Sequence, residues 1–265
     1  MHEFGEIAER LRRSTVQVFS HGHDGGGSGV IWSSDGRIVT NSHVARAEKA
    51  DVVLWDGRRI GARLVSRDAR RDLAELKVAE SGLPAATVGD SDALRPGELA
   101  IAIGSPLGFA GALSTGVIHS IGRIAGMGRE RWVGASVRLA PGNSGGPLAD
   151  ARGRVIGINT AIVNGLGVAV PSNAAVDFLR HGARPSLGVT LQPVPHGMQI
   201  VSIDPDGAAA AASLRRGDIL VGTHERLLEM LDSGKDTLRL PFFRGDTTRL
   251  REVFVRVAAR RAEAA

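Results

Sequence analysis

From residue 14 onward the hydrophobic positions come in short, β-branched runs bounded by Gly, Asp, Pro and Ser. Runs at residues 15–19, 28–32, 37–40, 52–55, 60–66 and 74–78 predict strands, and a second set at 99–103, 113–121, 132–139, 154–159 and 167–170 repeats the cadence. Strands in quick succession, separated by tight-turn residues rather than by helices, predict antiparallel sheet closed into barrels. The proline-bounded stretch 84–96 separates the two sets and predicts the connection between them. The spacing lengthens to the helical period at residues 3–13, where Phe4, Ile7, Ala8 and Leu11 share a face, and again at 172–182. Ala183-Arg184-Pro185 then reads as a linker.

A length of 265 residues and a mass of 27.8 kDa allow one sizeable domain and a smaller one. The absence of cysteine removes disulfide staples, so the fold depends on its cores, and it leaves the redox compartment open. No apolar stretch approaches the length of a membrane span, and residues 1–13 lack the apolar core of a signal peptide. The location expected on this reading is cytoplasmic, or extracytoplasmic if a targeting segment has been removed. A net charge of +5 and a pI near 10.7 raise nucleic acid as a partner. The arginines are scattered, however, and aromatics make up 4% with no Tyr, so no stacking platform or reading module is visible. The charge is read as a solvated basic surface with no nucleic-acid role.

The candidate chemistry sits in Pro141-Gly142-Asn143-Ser144-Gly145-Gly146-Pro147-Leu148. One serine lies among glycines that let a reacting group approach the backbone closely. Amide N–H groups of Gly142 and Ser144, with Asn143 between them, can form an oxyanion hole around a carbonyl under attack. A turn between strands would use the same residue types. A serine hydroxyl needs a base, and the base needs an orienting group. His43 stands at the end of the β-branched run 38–40, and Asp72 stands at the entrance to the run 74–78. His21 and His23 flank a Gly-rich loop without a carboxylate or cysteine cluster at ligand spacing, so no metal is expected, and no cofactor. No Walker-type nucleotide loop is present, so any hydrolysis would be ATP-independent.

Thr40-Asn41-Ser42-His43-Val44, Asp72-Leu73-Ala74 and the segment 142–148 together resemble the HtrA/Deg family of trypsin-like serine proteases. Further matches at 104–108, 115–118, 157–162 and 169–172 carry the resemblance over most of residues 14–181. It implies a mainly β fold: a chymotrypsin-like double six-stranded antiparallel β-barrel followed by a small PDZ-like α+β domain. The domains it implies are an N-terminal helix at 1–13, a protease domain at 14–182 and a PDZ-like domain at 186–258. His43 and Asp72 would come from the first barrel and Ser144 from the second, with the site between them. Ser144 would attack, His43 would act as base and then acid, and Asp72 would orient the imidazole. The substrates implied are unfolded or flexible polypeptides, and family members commonly form trimers, for which the Phe4 helix offers a contact. The alternative from another class is a protein of protease fold that holds unfolded chains without cutting them.

The residue six positions before the serine is Arg138, where enzymes that cleave after Lys or Arg carry an aspartate. The resemblance instead assigns Leu139, Asn159, Thr160, Ala161 and Ile162 to a shallow apolar pocket, which implies cleavage after small aliphatic residues. In the PDZ-like part, the backbone amides of Leu187, Gly188 and Val189 would receive a C-terminal carboxylate. There Gly222-Thr223 leads straight into a helix at 224–231, and Ser213 replaces an expected glycine. Segment 134–139 lacks the Thr-Asp that family members often carry, and Glu75 replaces an aliphatic residue, which predicts that position 75 faces solvent. Loops 121–131 and 163–166 are expected to be mobile because of Gly122, Gly126, Gly128 and Gly165.

Overall fold

The computed structural model describes residues 2–22, 25–105, 111–125, 127 and 130–257. An N-terminal helix, α1 (His2–Arg13), precedes strands β1 (Thr15–Ser20), β2 (Gly27–Ser33), β3 (Arg37–Thr40), β4 (Lys49–Val53), β5 (Arg59–Asp68) and β6 (Leu73–Val78). These six close into an antiparallel barrel in the order β1-β2-β3-β6-β5-β4. Alternate residues point inward, so Val16, Val18, Ile31, Ile38, Val52 and Leu76 meet at its centre, each nearly inaccessible to solvent. Each such side chain stabilises the barrel by roughly 1.5–3 kcal/mol relative to leaving it in water.

A second closed barrel, in the order β10-β11-β12-β9-β8-β7, contains β7 (Leu99–Gly104), β8 (Ala112–Gly122), β9 (Trp132–Ala135), β10 (Pro147–Asp150), β11 (Val155–Val163) and β12 (Leu166–Pro171). Its core is built from small and β-branched residues such as Ala100, Ala102, Ile118, Val133, Ala135 and Ile156. Helix α2 (Ser172–His181) follows and buries Ala175 and Phe178. The double six-stranded barrel expected from the motifs is therefore the architecture found.

Details differ from the sequence expectation. Strand β10 went unpredicted because Gly145-Gly146-Pro147 reads as a breaker, yet Leu148 and Ala149 pair with both β11 and β7. Strand β4 begins three positions earlier than expected and ends at Val53, since 54–58 is taken by the turn in which Leu54 N–H donates to Arg58 O at 2.9 Å. Residues 163–166, expected to be mobile, form a two-residue hairpin turn with Asn164 at φ 50° and Gly165 at φ 81°, the pairing that a type I′ turn requires. Of the other expected mobile loop, Gly126 lies outside the described residues, as does Gly128. Glu75 was expected to face solvent but is 7% exposed, because the Arg37 guanidinium meets it at 2.7 Å.

The chain divides into two compact units, the first running to Gly182 and the second beginning at Ala183. The second unit holds one five-stranded antiparallel sheet of β13 (Val189–Val194), β14 (Gly197–Ile203), β15 (Ile219–Leu220), β16 (Thr237–Arg244) and β17 (Asp246–Arg256), in that order. Two short helices accompany it, α3 (Ala208–Ala211) and α4 (His224–Leu231), the latter capped by Thr223 accepting from Arg226 N–H. Leu187, Ile200, Leu214, Leu220, Leu227, Leu240 and Val255 form its core. Ser213, where a glycine was expected, has the left-handed φ of 62° that would favour one.

Candidate active site

Strand β3 delivers His43 through a short, tightly bonded exit. Thr40 Oγ1 donates to Ser28 O at 2.6 Å, and the buried Asn41 amide donates to Asp72 O at 2.8 Å. Asp72 opens β6 from a backbone at φ 53°, a left-handed conformation that Asp tolerates better than most residues. Its carboxylate accepts from four groups. His43 Nδ1 lies 2.8 Å from Oδ2, His43 N–H donates at 3.2 Å and Ser42 Oγ at 3.1 Å to Oδ1, and Thr160 Oγ1 donates to Oδ2. Burial pushes this carboxyl up, but the hydrogen bonds and charge of His43 and the Thr160 hydroxyl outweigh it, holding it below the ordinary carboxylate range. With Asp72 ionised, Nδ1 carries the proton toward it, which leaves Nε2 as the acceptor.

The serine half is built from backbone. Asn143 N–H donates to Ala140 O at 3.0 Å, closing a turn with Pro141 second and Gly142 third at φ 103°. That is the type II arrangement, whose third position requires positive φ. Gly145 repeats the requirement at φ 89°, and a Cβ there would collide with Ser28 O and Thr40 Oγ1. Ser28 clamps the loop to the first barrel: its N–H donates to Ser144 O at 2.7 Å and its Oγ to Gly142 O at 2.7 Å.

The amides along this loop divide into two sets. Those of Asn143, Gly145 and Gly146 all donate within the protein, to Ala140 O, Asn159 O and Asn143 O. Those of Gly142 and Ser144 have no acceptor among the described residues. Two unpaired N–H groups flanking a serine can receive a developing oxyanion. Ser144 Oγ itself donates to Thr160 O at 3.1 Å, and among the described residues no hydrogen bond joins it to His43.

The predicted pocket residues separate. Asn159 cannot line an open pocket, being 1% exposed with its amide donating to Pro147 O at 2.8 Å beneath the serine loop. Thr160 serves the site differently, with its hydroxyl on Asp72 and its carbonyl on Ser144 Oγ. Leu139 packs against the second barrel's core, Ala161 is half-buried, and Ile162 is 55% exposed. In the second unit, Leu187 is buried and its carbonyl accepts from Ala209 N–H, while Val189 opens β13. Gly188 N–H, expected to be free for a carboxylate, donates to Ser186 Oγ at 3.1 Å. His21 lies 3.4 Å from Asp51, and His23 lies outside the described residues.

Sequence reasoning missed Ser28, the residue that fixes the serine loop, because its partners stand more than a hundred positions away. Its only local signal was a serine between two glycines at the head of the apolar run 30–32.

Residues 27–158 match the trypsin-like peptidase domain. A probable periplasmic serine endoprotease, DegP-like, of Halomonas elongata is 40% identical over 223 residues, covering 74% of this chain and 47% of that protein. The putative serine protease HhoB of Synechocystis sp. is 38% identical over 232 residues, covering 74% and 56%. Among solved structures, the HtrA-type protease AlgW with tripeptide superimposes with TM-score 0.67 at 29% identity over 96% of both chains. The serine endoprotease from Yersinia pestis does so with TM-score 0.63 at 28% identity, also over 96% of both. The chain spans about half the length of the curated relatives it matches.

Proposed function

The chain belongs to the HtrA-type family of trypsin-like serine proteases, and from that premise we propose that it is an ATP-independent endopeptidase acting through Ser144, His43 and Asp72. Ser144 Oγ attacks the scissile carbonyl carbon while His43 Nε2 takes its proton. The new oxyanion accepts from Gly142 and Ser144 N–H. Collapse of the tetrahedral intermediate breaks the C–N bond, and His43 passes its proton to the leaving amine. Water then repeats the sequence on the acyl-enzyme, giving up its proton to His43 and releasing Ser144. Asp72 stays ionised throughout and stabilises the imidazolium.

The observation that carries this reading is the selective freedom of the Gly142 and Ser144 amides beside a His43–Asp72 contact of 2.8 Å. The Ser144–Thr160 hydrogen bond favours a second reading for the isolated chain, a resting form that binds polypeptide but cuts slowly until the hydroxyl turns to His43. Casein turnover by the protein and by Ser144→Ala tests both. The variant should lose on the order of 10⁴-fold or more in kcat, and equal, negligible turnover by the two would remove the peptidase reading.

Small aliphatic residues are the proposed preference at the cleaved bond. Arg138 is exposed six positions before the nucleophile, and a peptide library preferring Lys or Arg would contradict this. The second unit is proposed to capture C-terminal peptides poorly, since Gly188 N–H must first release Ser186, and calorimetry with a C-terminal peptide measures this. Trimeric assembly through α1, where Phe4 is 45% exposed, is checked by sedimentation. Among the described residues no helix is long and apolar enough to cross a membrane. Relatives named periplasmic favour a place outside the cytoplasm, which cell fractionation tests.

A further inference from the structure

Asp72 holds an unusual backbone, and something must keep it there. On its C-terminal side Leu73 is fully buried and paired into β6. On its N-terminal side stands Arg71, whose side chain is 2% exposed despite its charge. The Arg71 guanidinium is filled from several directions. Nε donates to Asp68 Oδ2 at 2.7 Å, Nη1 donates to Asp177 Oδ2, and Nη2 donates to Gly182 O at 2.7 Å. It also lies 5.6 Å from the centre of the Phe178 ring. Asp68 closes the loop from the other end, its Oδ1 accepting from Arg70 and Arg71 N–H at 2.9 and 3.0 Å.

Three of these partners, Asp177, Phe178 and Gly182, lie on or immediately after helix α2, which follows the second barrel. The Asp72 loop belongs to the first barrel. A guanidinium at the C-terminal end of a helix is favourably placed against the exposed carbonyls and the helix dipole. A rigid planar fork can satisfy Asp68, Asp177 and a carbonyl together, which a lysine ammonium cannot do in one geometry. The same helix end receives a second cation, Arg37, which donates to Leu179 O at 3.3 Å while pairing with Glu75. That tie leaves the Asp72 loop untouched.

We propose that Arg71 is a positioning residue for the reaction: by docking on the end of α2 it holds Asp72 at positive φ, with its carboxylate aimed at His43 Nδ1. The role rests on the reading of His43, Asp72 and Ser144 given above. Arg71 touches no reacting atom, and its effect passes through the orientation of Asp72 and hence of the imidazole. Without the anchor at Asp177 and Gly182, the Asp72 loop relaxes toward ordinary backbone and the Nδ1–carboxylate hydrogen bond weakens. The imidazole then loses its fixed orientation, and kcat falls.

The test uses Arg71→Lys and Asp177→Ala, with Arg37→Gln as the control that loosens the same helix end elsewhere. Removing Arg71 entirely would take the guanidinium away from the buried Asp68 carboxylate and threaten the fold. Asp177, with its side chain 48% exposed, is cut without that risk. Both test variants should lose about 10-fold in kcat with KM nearly unchanged. Asp177→Asn, which keeps an acceptor for Nη1, should recover most of the loss. In the Ser144→Ala background, the low-field proton resonance of His43 Nδ1 should move or broaden with Arg71→Lys and Asp177→Ala but not with Arg37→Gln. Wild-type kcat and proton resonance in both variants, with only a lowered Tm, would reduce Arg71 to a structural tie and overturn the proposal. If the wild-type protein neither cleaves casein nor reacts with a fluorophosphonate, the peptidase reading fails by itself, and the proton resonance still decides whether Arg71 positions Asp72.

Discussion

The two halves of the candidate site are held by different means. The His43–Asp72 half is tied by side chains: Ser42, Thr160 and the imidazole all converge on one carboxylate, and Asn41 fixes its backbone. The Ser144 half is tied by backbone: glycines at φ 103° and 89° shape it, and Ser28 grips two of its carbonyls. The difference matches what each half would have to do in the proposed reaction. One half must hold a charge in a fixed direction, which needs directed donors. The other must present N–H groups to a charge that exists only during reaction, which needs amides left unpaired by a loop too constrained to collapse.

Asp72→Asn breaks the side-chain half at its centre. Asn tolerates the left-handed backbone and matches the shape, so the fold should persist and Tm should stay close to wild type. Its amide can no longer accept the Nδ1 proton at that atom, so the tautomer that leaves Nε2 free is lost. A fall in kcat of about 10⁴-fold is expected. A circular dichroism melt run beside the casein assay separates loss of chemistry from loss of fold, and a variant within tenfold of wild type would show that Asp72 does not orient His43.

Gly145→Ala breaks the backbone half, and its signature should differ. The added Cβ meets Ser28 O and Thr40 Oγ1 at a positive φ that already disfavours it, so the loop must shift away from β2. Stability and activity should therefore fall together, with kcat reduced by roughly 10²–10³-fold as the oxyanion donors lose register. Fluorophosphonate labelling of Ser144, followed by intact mass, should slow in parallel. A variant that is less stable yet labels at the wild-type rate would show that the loop geometry is not what activates Ser144.

The same contrast explains what could be read from the sequence. What stands in a local pattern was legible: the strand cadence predicted two barrels, and Gly142, Ser144, His43 and Asp72, which the proposed reaction uses, stood in short motifs. Roles set by a distant partner were not. Glu75 looked like a solvent-facing departure because nothing nearby announces Arg37, and Thr160 looked like a pocket wall because its contact with Asp72 crosses 88 positions. Asn159 failed for a related reason. Alternation along β11 gives two faces, but only the fold tells which face lies beneath the serine loop. Strand β10 was hidden because local turn chemistry at Gly145-Gly146-Pro147 outweighed tertiary pairing in the reading.

Thr160→Val produces the smallest expected effect and sharpens the comparison most finely, because it removes one donor from Asp72 while leaving the Thr160 carbonyl on Ser144 Oγ. Asp72 is depressed in the folded state, so its ionised form adds stability above the ordinary carboxylate range, and that increment is lost as pH falls through the folded value. Losing the Thr160 hydroxyl raises the folded value toward the unfolded one. The increment shrinks, so the variant should be less stable at neutral pH and should lose less stability on acidification, its curve levelling off at a higher pH than that of the wild type. With His43 and Ser42 still in place, kcat at neutral pH should fall by only about 3–10-fold, less than the roughly 1.5–3 kcal/mol of a hydrogen bond to a charged group would give directly, because the Thr160 hydroxyl touches no reacting atom. Urea melts across the acid range read the stability curve, and casein turnover at neutral pH reads the rate. Superimposable acid curves would mean that the His43 and Ser42 contacts alone hold Asp72 ionised, and that Thr160 acts on the site solely through its backbone.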